Sequence, residues 1–168
     1  MTNFLIRQAS LEDFSRLGEV MYKAVREADS PYSATQREAW MPRPRAGEDW
    51  NKRLGAQYVL LAEQGGTAKG FMSLAPMAAE QDGYVDFAYI LAPVRGQGLF
   101  RKLYKKIEAA AHAQNKTHVF THASLMAAPA FAKMGFDYLE KEEVEIDGEM
   151  LPRFHMRKEL SSPLFQPL

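Results

Sequence analysis

The sequence predicts an α+β domain (α/β in a looser usage), built on a mixed, mostly antiparallel sheet with helices on both faces. Two observations lead there. Apolar runs of strand length and helical periods alternate in the order strand, two or three helices, three strands, helix, strand, helix, two strands. The helix between the fourth and fifth strands is long enough for a crossover, which makes those two strands parallel.

The elements follow in order. "FLIRQA" (4–9) reads as a short strand. Leu11, Phe14, Leu17, Met21 and Val25 then recur at spacings of three and four, with Ser10 as N-cap and Asp13 in the capping-box position. Ser30-Pro31 closes that helix. Between Tyr32 and Leu54 come a short helix near Ala34–Trp40, a loop stiffened by "MPRPR", and a second short helix near Glu48–Leu54. "QYVLLAEQ" (57–64), "GFMSLAPM" (70–77) and "GYVDFAYIL" (83–91) are strand-like, the first two joined through "GGTAKG" as a hairpin. Leu99, Leu103, Ile107 and Ala111 step by four along one helix face. "HVFTHA" (118–123) is a strand, and "MAAPAFAKMGF" is a helix ended by Gly135. Two strands turning at Asp147-Gly148 finish the pattern. Residues 1–160 are expected to form a single domain, and 161–168 an extended tail.

Composition narrows the function. Apolar residues make up 46% and charged residues 25% of the 168, the balance of a globular domain. The 21 basic and 21 acidic side chains cancel, which argues against a nucleic-acid partner, since that binding runs on phosphate neutralisation. Without cysteine there is neither a disulfide framework nor a thiolate metal site, and no histidine pair has metal-ligand spacing. No run reaches the ~18 apolar residues of a membrane span, and the N-terminus lacks signal-peptide character. The expectation is a cytoplasmic protein with no membrane, nucleic-acid or metal partner.

The most informative segment is "APVRGQGLFRK" (92–102), the joint between a strand and a helix. A helix N-terminus offers unpaired N–H groups and partial positive charge, and Gly96 and Gly98 let backbone close on a ligand. Arg95, Arg101 and Lys102 add charge. The segment has neither the Gly-Lys-Ser/Thr of a nucleotide P-loop nor a three-glycine dinucleotide fingerprint.

With the strand before it, this joint resembles the acyl-CoA signature Arg/Gln-x-x-Gly-x-Gly/Ala of the GNAT N-acetyltransferase superfamily. Arg95 and Gly98 match; Phe100 stands where the family has Gly or Ala. A second family pattern, Asn-x-x-Ala-x-x-x-Tyr-x-x-x-Gly-Phe, falls on Ser124, Ala127, Phe131, Gly135 and Phe136. The strand order agrees from end to end, and "YSATQREAW" and "ASLMAAPAFAKMGF" look like a bacterial subgroup of such acetyltransferases.

The resemblance implies a splay between the fourth and fifth strands. It implies acetyl-CoA as cosubstrate, its pyrophosphate held by the backbone of Gly96, Gln97, Gly98, Leu99, Phe100 and Arg101. The pantetheine arm would pair with the chain at Ile90 and Leu91, and Ser124 and Phe131 would lie against the coenzyme. Lys102 or Lys105 could reach the outer phosphates, though lysines solvated on a helix face read the same way. The acceptor, a small-molecule or peptide amine, would enter near Tyr32, Trp40, Trp50 and the final hairpin, although the two tryptophans also read as helix anchors covering the core. Phe131 cannot donate a proton as the family tyrosine does: either another group takes that role, with Ser124, Tyr89, Tyr104 and Tyr138 as candidates, or the thiolate leaves unassisted or through water. Asp86 and His122 are the candidate bases. A noncatalytic acyl-CoA-binding module is the rival expectation, and a homodimer through the last strands or the tail is family habit.

Overall fold

Leu5–Gln8 forms β1, which pairs antiparallel with β2 (Tyr58–Gln64) and leads into a 3-10 turn over Leu11–Asp13. The computed structural model describes residues 3–161, so the expected tail lies, beyond Ser161, outside the described residues. The helices α1 (Phe14–Arg26), α2 (Ala34–Trp40) and α3 (Glu48–Gly55) follow. Next come β3 (Thr67–Pro76), β4 (Asp82–Ile90), α4 (Leu99–Ala113), β5 (His118–Ser124), α5 (Ala128–Lys133), β6 (Asp137–Ile146) and β7 (Glu149–Glu159). The seven strands lie in the order β1-β2-β3-β4-β5-β7-β6, and β4–β5 is the parallel pair. No helix among the described residues is long and apolar enough to cross a membrane.

Alternation along the strands explains why the "YVLLA" of β2 is apolar throughout. Leu60 and Ala62 enter the core beneath α4 and α5, with Met72, Leu74, Val85, Leu103 and Ile107. Val59 and Leu61 enter the opposite core beneath α1 and α3, with Leu17, Met21, Trp50, Phe71 and Phe87. A strand buried on both faces has no polar side to show. The β2–β3 hairpin is tighter than "GGTAKG" suggests, because Gly65 and Gly66 both take positive φ and turn the chain alone, leaving Thr67 in the strand.

Asp13 does more than cap. Ser10 donates its N–H to Asp13 Oδ2 at 2.8 Å, and Arg7 grips both carboxylate oxygens at 2.8 Å. Arg7 also donates to Glu63 at 2.7 Å, so one guanidinium ties β1 to β2 and to the start of α1.

Two departures from regular pairing prepare the site. The β4–β5 ladder runs from Asp82↔His118 to Val85↔Thr121 and stops, although both strands continue. Opposite Ser73, β4 carries two residues, Asp86 and Phe87, and Phe87 N–H bonds to Ser73 Oγ at 3.1 Å. Such a bulge bends and twists its strand. Beyond it β4 turns away from β5, which instead follows β7 to Ser124↔Arg153.

Candidate functional site

Two clefts open on this splay. The larger, of about 430 Å³, runs from Ile90 and Val94 over Gly96–Arg101 to Met126, Ala130 and Met134. The smaller, of about 310 Å³, lies toward Tyr84, His122 and Arg153. Trp40, Ala88, Tyr89, Ser124 and Ala127 border both, so the two clefts meet beside the parted strands.

In the larger cleft the basic joint folds as its residues dictate. Gly96 and Gly98 take φ of 78° and 81°, and a Cβ on either would face open space. The first helical bond into this end is Lys102 N–H to Gly98 C=O at 3.1 Å, which leaves the Leu99, Phe100 and Arg101 amides without intrahelical partners. A row of unpartnered amides at the positive end of a fifteen-residue helix, bordering the cleft, fits a pyrophosphate.

Several expected residues take more specific places. Arg95 donates to Ile90 C=O at 3.0 Å and to Ala24 C=O at 3.2 Å, so its guanidinium staples the end of β4 to α1. Burial lowers its pKa, in keeping with a structural clamp. Gln97 reaches back to Pro93 C=O at 3.4 Å and does not line the cleft. Phe100 meets Phe131 edge to face at 5.0 Å between α4 and α5, which turns its ring toward the core. Leu91 N–H bonds to Lys69 C=O on β3, and its side chain lies against α1. Alternation therefore points the main-chain groups of Ala88 and Ile90 at the splay, and the expected pairing edge shifts from Ile90–Leu91 to Ala88–Ile90. Arg101 and Lys133 border the cleft, whereas Lys102 sits over the Phe4 ring and Lys105 lies 3.9 Å from Glu108.

The smaller cleft holds the titratable groups. Tyr84 Oη lies 2.6 Å from His122 Nδ1, and Glu142 Oε2 lies 3.7 Å from His122 Nε2. Burial, with Arg153 and His155 nearby, lowers the His122 pKa from its usual 6.5, so the ring is neutral at pH 7. Burial and the Asp86 charge raise that of Tyr84, which stays a phenol. Arg153 donates to Glu142 at 3.0 Å and holds that carboxyl low, against the effect of burial. Donor atoms of His122, Glu142 and His155 fall within 4.8 Å of one another. The two imidazoles are nonetheless stacked, with centroids 4.6 Å apart at 15°, so their in-plane lone pairs run side by side and do not converge.

Asp86 accepts from Arg53 Nε at 3.0 Å, Arg53 Nη2 at 2.8 Å and Gln57 Nε2 at 2.6 Å. These three bonds occupy both oxygens of the carboxylate and tie β4 to α3 and to Gln57 just after it. Tyr32 donates to Pro152 C=O at 2.6 Å and accepts from Leu125 N–H at 2.9 Å, which joins the early helices to the last hairpin. Trp40 packs on Tyr32 and Tyr89 at the meeting of the clefts. Trp50 is a correction to the sequence expectation. It is 4% exposed, donates its indole N–H to Phe14 C=O at 2.6 Å, and packs on Phe87 in the core, behind the lining of the smaller cleft.

Among the four candidate proton donors, Tyr104 is buried beneath α4 with Glu108 at 3.5 Å, and Tyr138 lies on edge strand β6 against Phe154. Ser124 and Tyr89 remain at the site. Ser124 Oγ accepts from Ala127 N–H at 3.1 Å, and burial raises the Tyr89 pKa. Tyr84, Ala88, Arg45, Glu142 and Arg153 were missed by sequence reasoning. Only the facing of Tyr84 and His122 on adjacent parallel strands could have pointed to one of them.

Residues 28–160 match the family model described as "Acetyltransferase (GNAT) domain". The chain is similar, at 25% identity over 158 residues, to the "Uncharacterized N-acetyltransferase YafP" of Escherichia coli (strain K12), covering 94% of this chain and 97% of that one. The crystal structure of a GCN5-related N-acetyltransferase from Rhodopseudomonas palustris superposes with a TM-score of 0.83 at 28% identity, over 95% of this chain and 98% of that one. The structure of yncA from Salmonella typhimurium, solved with its cofactor acetyl-CoA, gives 0.67 at 21% identity over 96% of each, a likeness of fold. The family model spans most of the chain, and the chain belongs to the GNAT acetyltransferase family.

Proposed function

We propose that this protein transfers an acetyl group from acetyl-CoA to a primary amine by direct attack in a ternary complex. The observation that carries this is the meeting of the two clefts at Ala88, Tyr89 and Ser124, where β4 has left β5. The larger cleft fits the coenzyme: Gly96 and Gly98–Arg101 take the pyrophosphate, and the edge of β4 at Ala88 and Ile90 takes the pantetheine amides. Bound acetyl-CoA supplies the activated acyl carbon.

The chain's own groups then have distinct tasks. A main-chain N–H of the free β4 edge faces the thioester carbonyl and stabilises the oxyanion, a contribution of about 3 kcal/mol when such a donor is well placed. The amine nitrogen bonds to the carbonyl carbon, the C–S bond breaks, and the net proton passes from nitrogen to the departing thiolate. His122 is the base. For Nε2 to accept the proton, Nδ1–H must donate to Tyr84 Oη, and the imidazolium then finds Glu142 beside it. Tyr89 or Ser124 returns a proton to a thiolate whose usual pKa near ~8.5 makes it a fair leaving group. Asp86 holds Arg53 in place and is not the base.

The test is calorimetric titration with acetyl-CoA, followed by thiol release over a panel of amines. Micromolar binding with turnover of at least one amine supports the proposal. The absence of tyrosine at Phe131 favours the rival, a noncatalytic binding module, which predicts binding and no turnover on any acceptor.

A further inference from the structure

Three arginines line the acceptor-side cleft, and their partners differ in a way that selects the acceptor. Arg53 is neutralised by Asp86, and Arg153 by Glu142. Arg45 has no carboxylate within the 4.0 Å of an ion pair among the described residues, and Asp49, in the groove behind its loop, is no exception. His122 is neutral, so the cleft keeps one uncompensated positive charge.

That charge is held in place. Arg45 ends the "MPRPR" segment, whose two prolines restrict it, and its guanidinium sits over the Trp50 ring at 5.9 Å. The Arg45 main chain lies against Gly18 of α1 so closely that a Cβ there would stand 1.8 Å from the Arg45 carbonyl oxygen. Arg26 anchors the start of the loop through Met41 C=O at 2.9 Å. Arg45 and Tyr89 line the same cleft, and Tyr89 stands where the two clefts meet. Tyr32, Trp40, Phe87, Val144 and Leu151 give the cleft an aromatic and aliphatic side.

From this arrangement we propose that the acceptor is an amino-acid-like molecule bearing a carboxylate close to its amine, and that Arg45 binds that carboxylate. This rests on the acetyl-transfer reading of the cleft. A planar guanidinium matches a carboxylate through two parallel N–H···O bonds. Seated there, the carboxylate places the neighbouring amine at the splay and the side chain against the aromatic wall. A polyamine meets the opposite situation, because its second ammonium would face Arg45.

The experiment measures thiol release by the full chain with acetyl-CoA and matched acceptors: L-phenylalanine, L-methionine and L-leucine, their primary amides, their decarboxylated amines, and spermidine. The free acid of at least one set is expected to exceed its amide at least about 10-fold in kcat/KM, the size of a charge-assisted pair. R45Q should erase that preference by raising KM for the acid, and R45K should restore part of it. Amides, decarboxylated amines or spermidine serving as well as the acids would overturn the carboxylate assignment and leave the transferase reading standing. An acid preference untouched by R45Q would overturn the role of Arg45. Coenzyme binding without turnover of any acceptor would overturn the transferase reading itself, and this proposal with it.

Discussion

Tyr84 and His122 face each other across the last paired rungs of β4 and β5, the phenol oxygen 2.6 Å from Nδ1. The ladder ends at Val85↔Thr121, one residue past Tyr84 and one short of His122, so this hydrogen bond sits at the mouth of the splay. Its role shows in the pH dependence. Burial holds the folded pKa of His122 below 6.5, so as the proposed base it is deprotonated above that pKa and loses the role as pH falls through it. The ratio of wild-type to H122Q rates, which cancels the acceptor's own titration, should rise through a pKa below 6.5 and then plateau. The plateau is expected at about 10²–10⁴. Y84F should lower kcat with an unchanged coenzyme Kd and move that inflection. A flat ratio across pH 5–9 would remove His122 as the base.

Asp86 should behave as a positioning residue. D86N keeps the shape and gives up one Arg53 contact, so KM for the acceptor should rise about tenfold with the pH–rate profile unmoved. A D86N enzyme that has lost the acidic limb would make Asp86 the base after all.

Gly98 tests the coenzyme cleft. With φ at 81°, a side chain there costs about 1–2 kcal/mol in backbone strain. The added Cβ meets only open space, the space assigned to phosphate. G98V should remain folded, with a small drop in Tm, and lose at least tenfold in acetyl-CoA affinity by calorimetry. Unchanged affinity would place the pyrophosphate elsewhere.

Gly18 tests the seating of Arg45. G18A must displace the Arg45 carbonyl from its 1.8 Å approach, a shift of the kind that costs about 1–3 kcal/mol. Acetyl-CoA affinity should hold while acceptor KM rises. Equal damage to both would mean that the loop supports the whole sheet face.

Asp13 governs acid stability. Arg7 holds its carboxyl well below the usual carboxylate range, with the Ser10 N–H contributing, although burial opposes both. A depressed carboxylate stabilises the fold fully above the unfolded pKa, near ~3.9, and loses that contribution as pH falls toward the folded value. Urea unfolding at pH 7 should show D13N weaker by about 2–4 kcal/mol, with the gap narrowing below pH 4. A constant gap at both pH values would assign the effect to packing.

The strands, helices and coenzyme joint were legible because each is encoded locally. Leu99, Leu103, Ile107 and Ala111 describe a helix face, and all four are buried under it. Gly65–Gly66 and Asp147–Gly148 announce turns that only positive φ allows. The expected splay and the parallel pair followed from crossover length and family resemblance. The roles of single side chains were harder to read. The sequence shows Trp50 as an aromatic near a pocket, yet its place in the core depends on where Phe14 and Phe87 lie. Asp86 looked free until Arg53 and Gln57, from another element, came to meet it.

The sequence by itself determined the order of elements, the glycine-opened end of α4 and the family, since periodicity, turn chemistry and motif spacing are properties of near neighbours along the chain. Tertiary structure decided which edge of β4 is free, that Arg95 clamps Ile90 and Ala24, and that Arg45, of the three arginines lining the smaller cleft, is the one with no carboxylate partner among the described residues. Those are matters of hydrogen bonding and charge pairing between residues far apart in sequence, and they exist only once the chain has closed on itself.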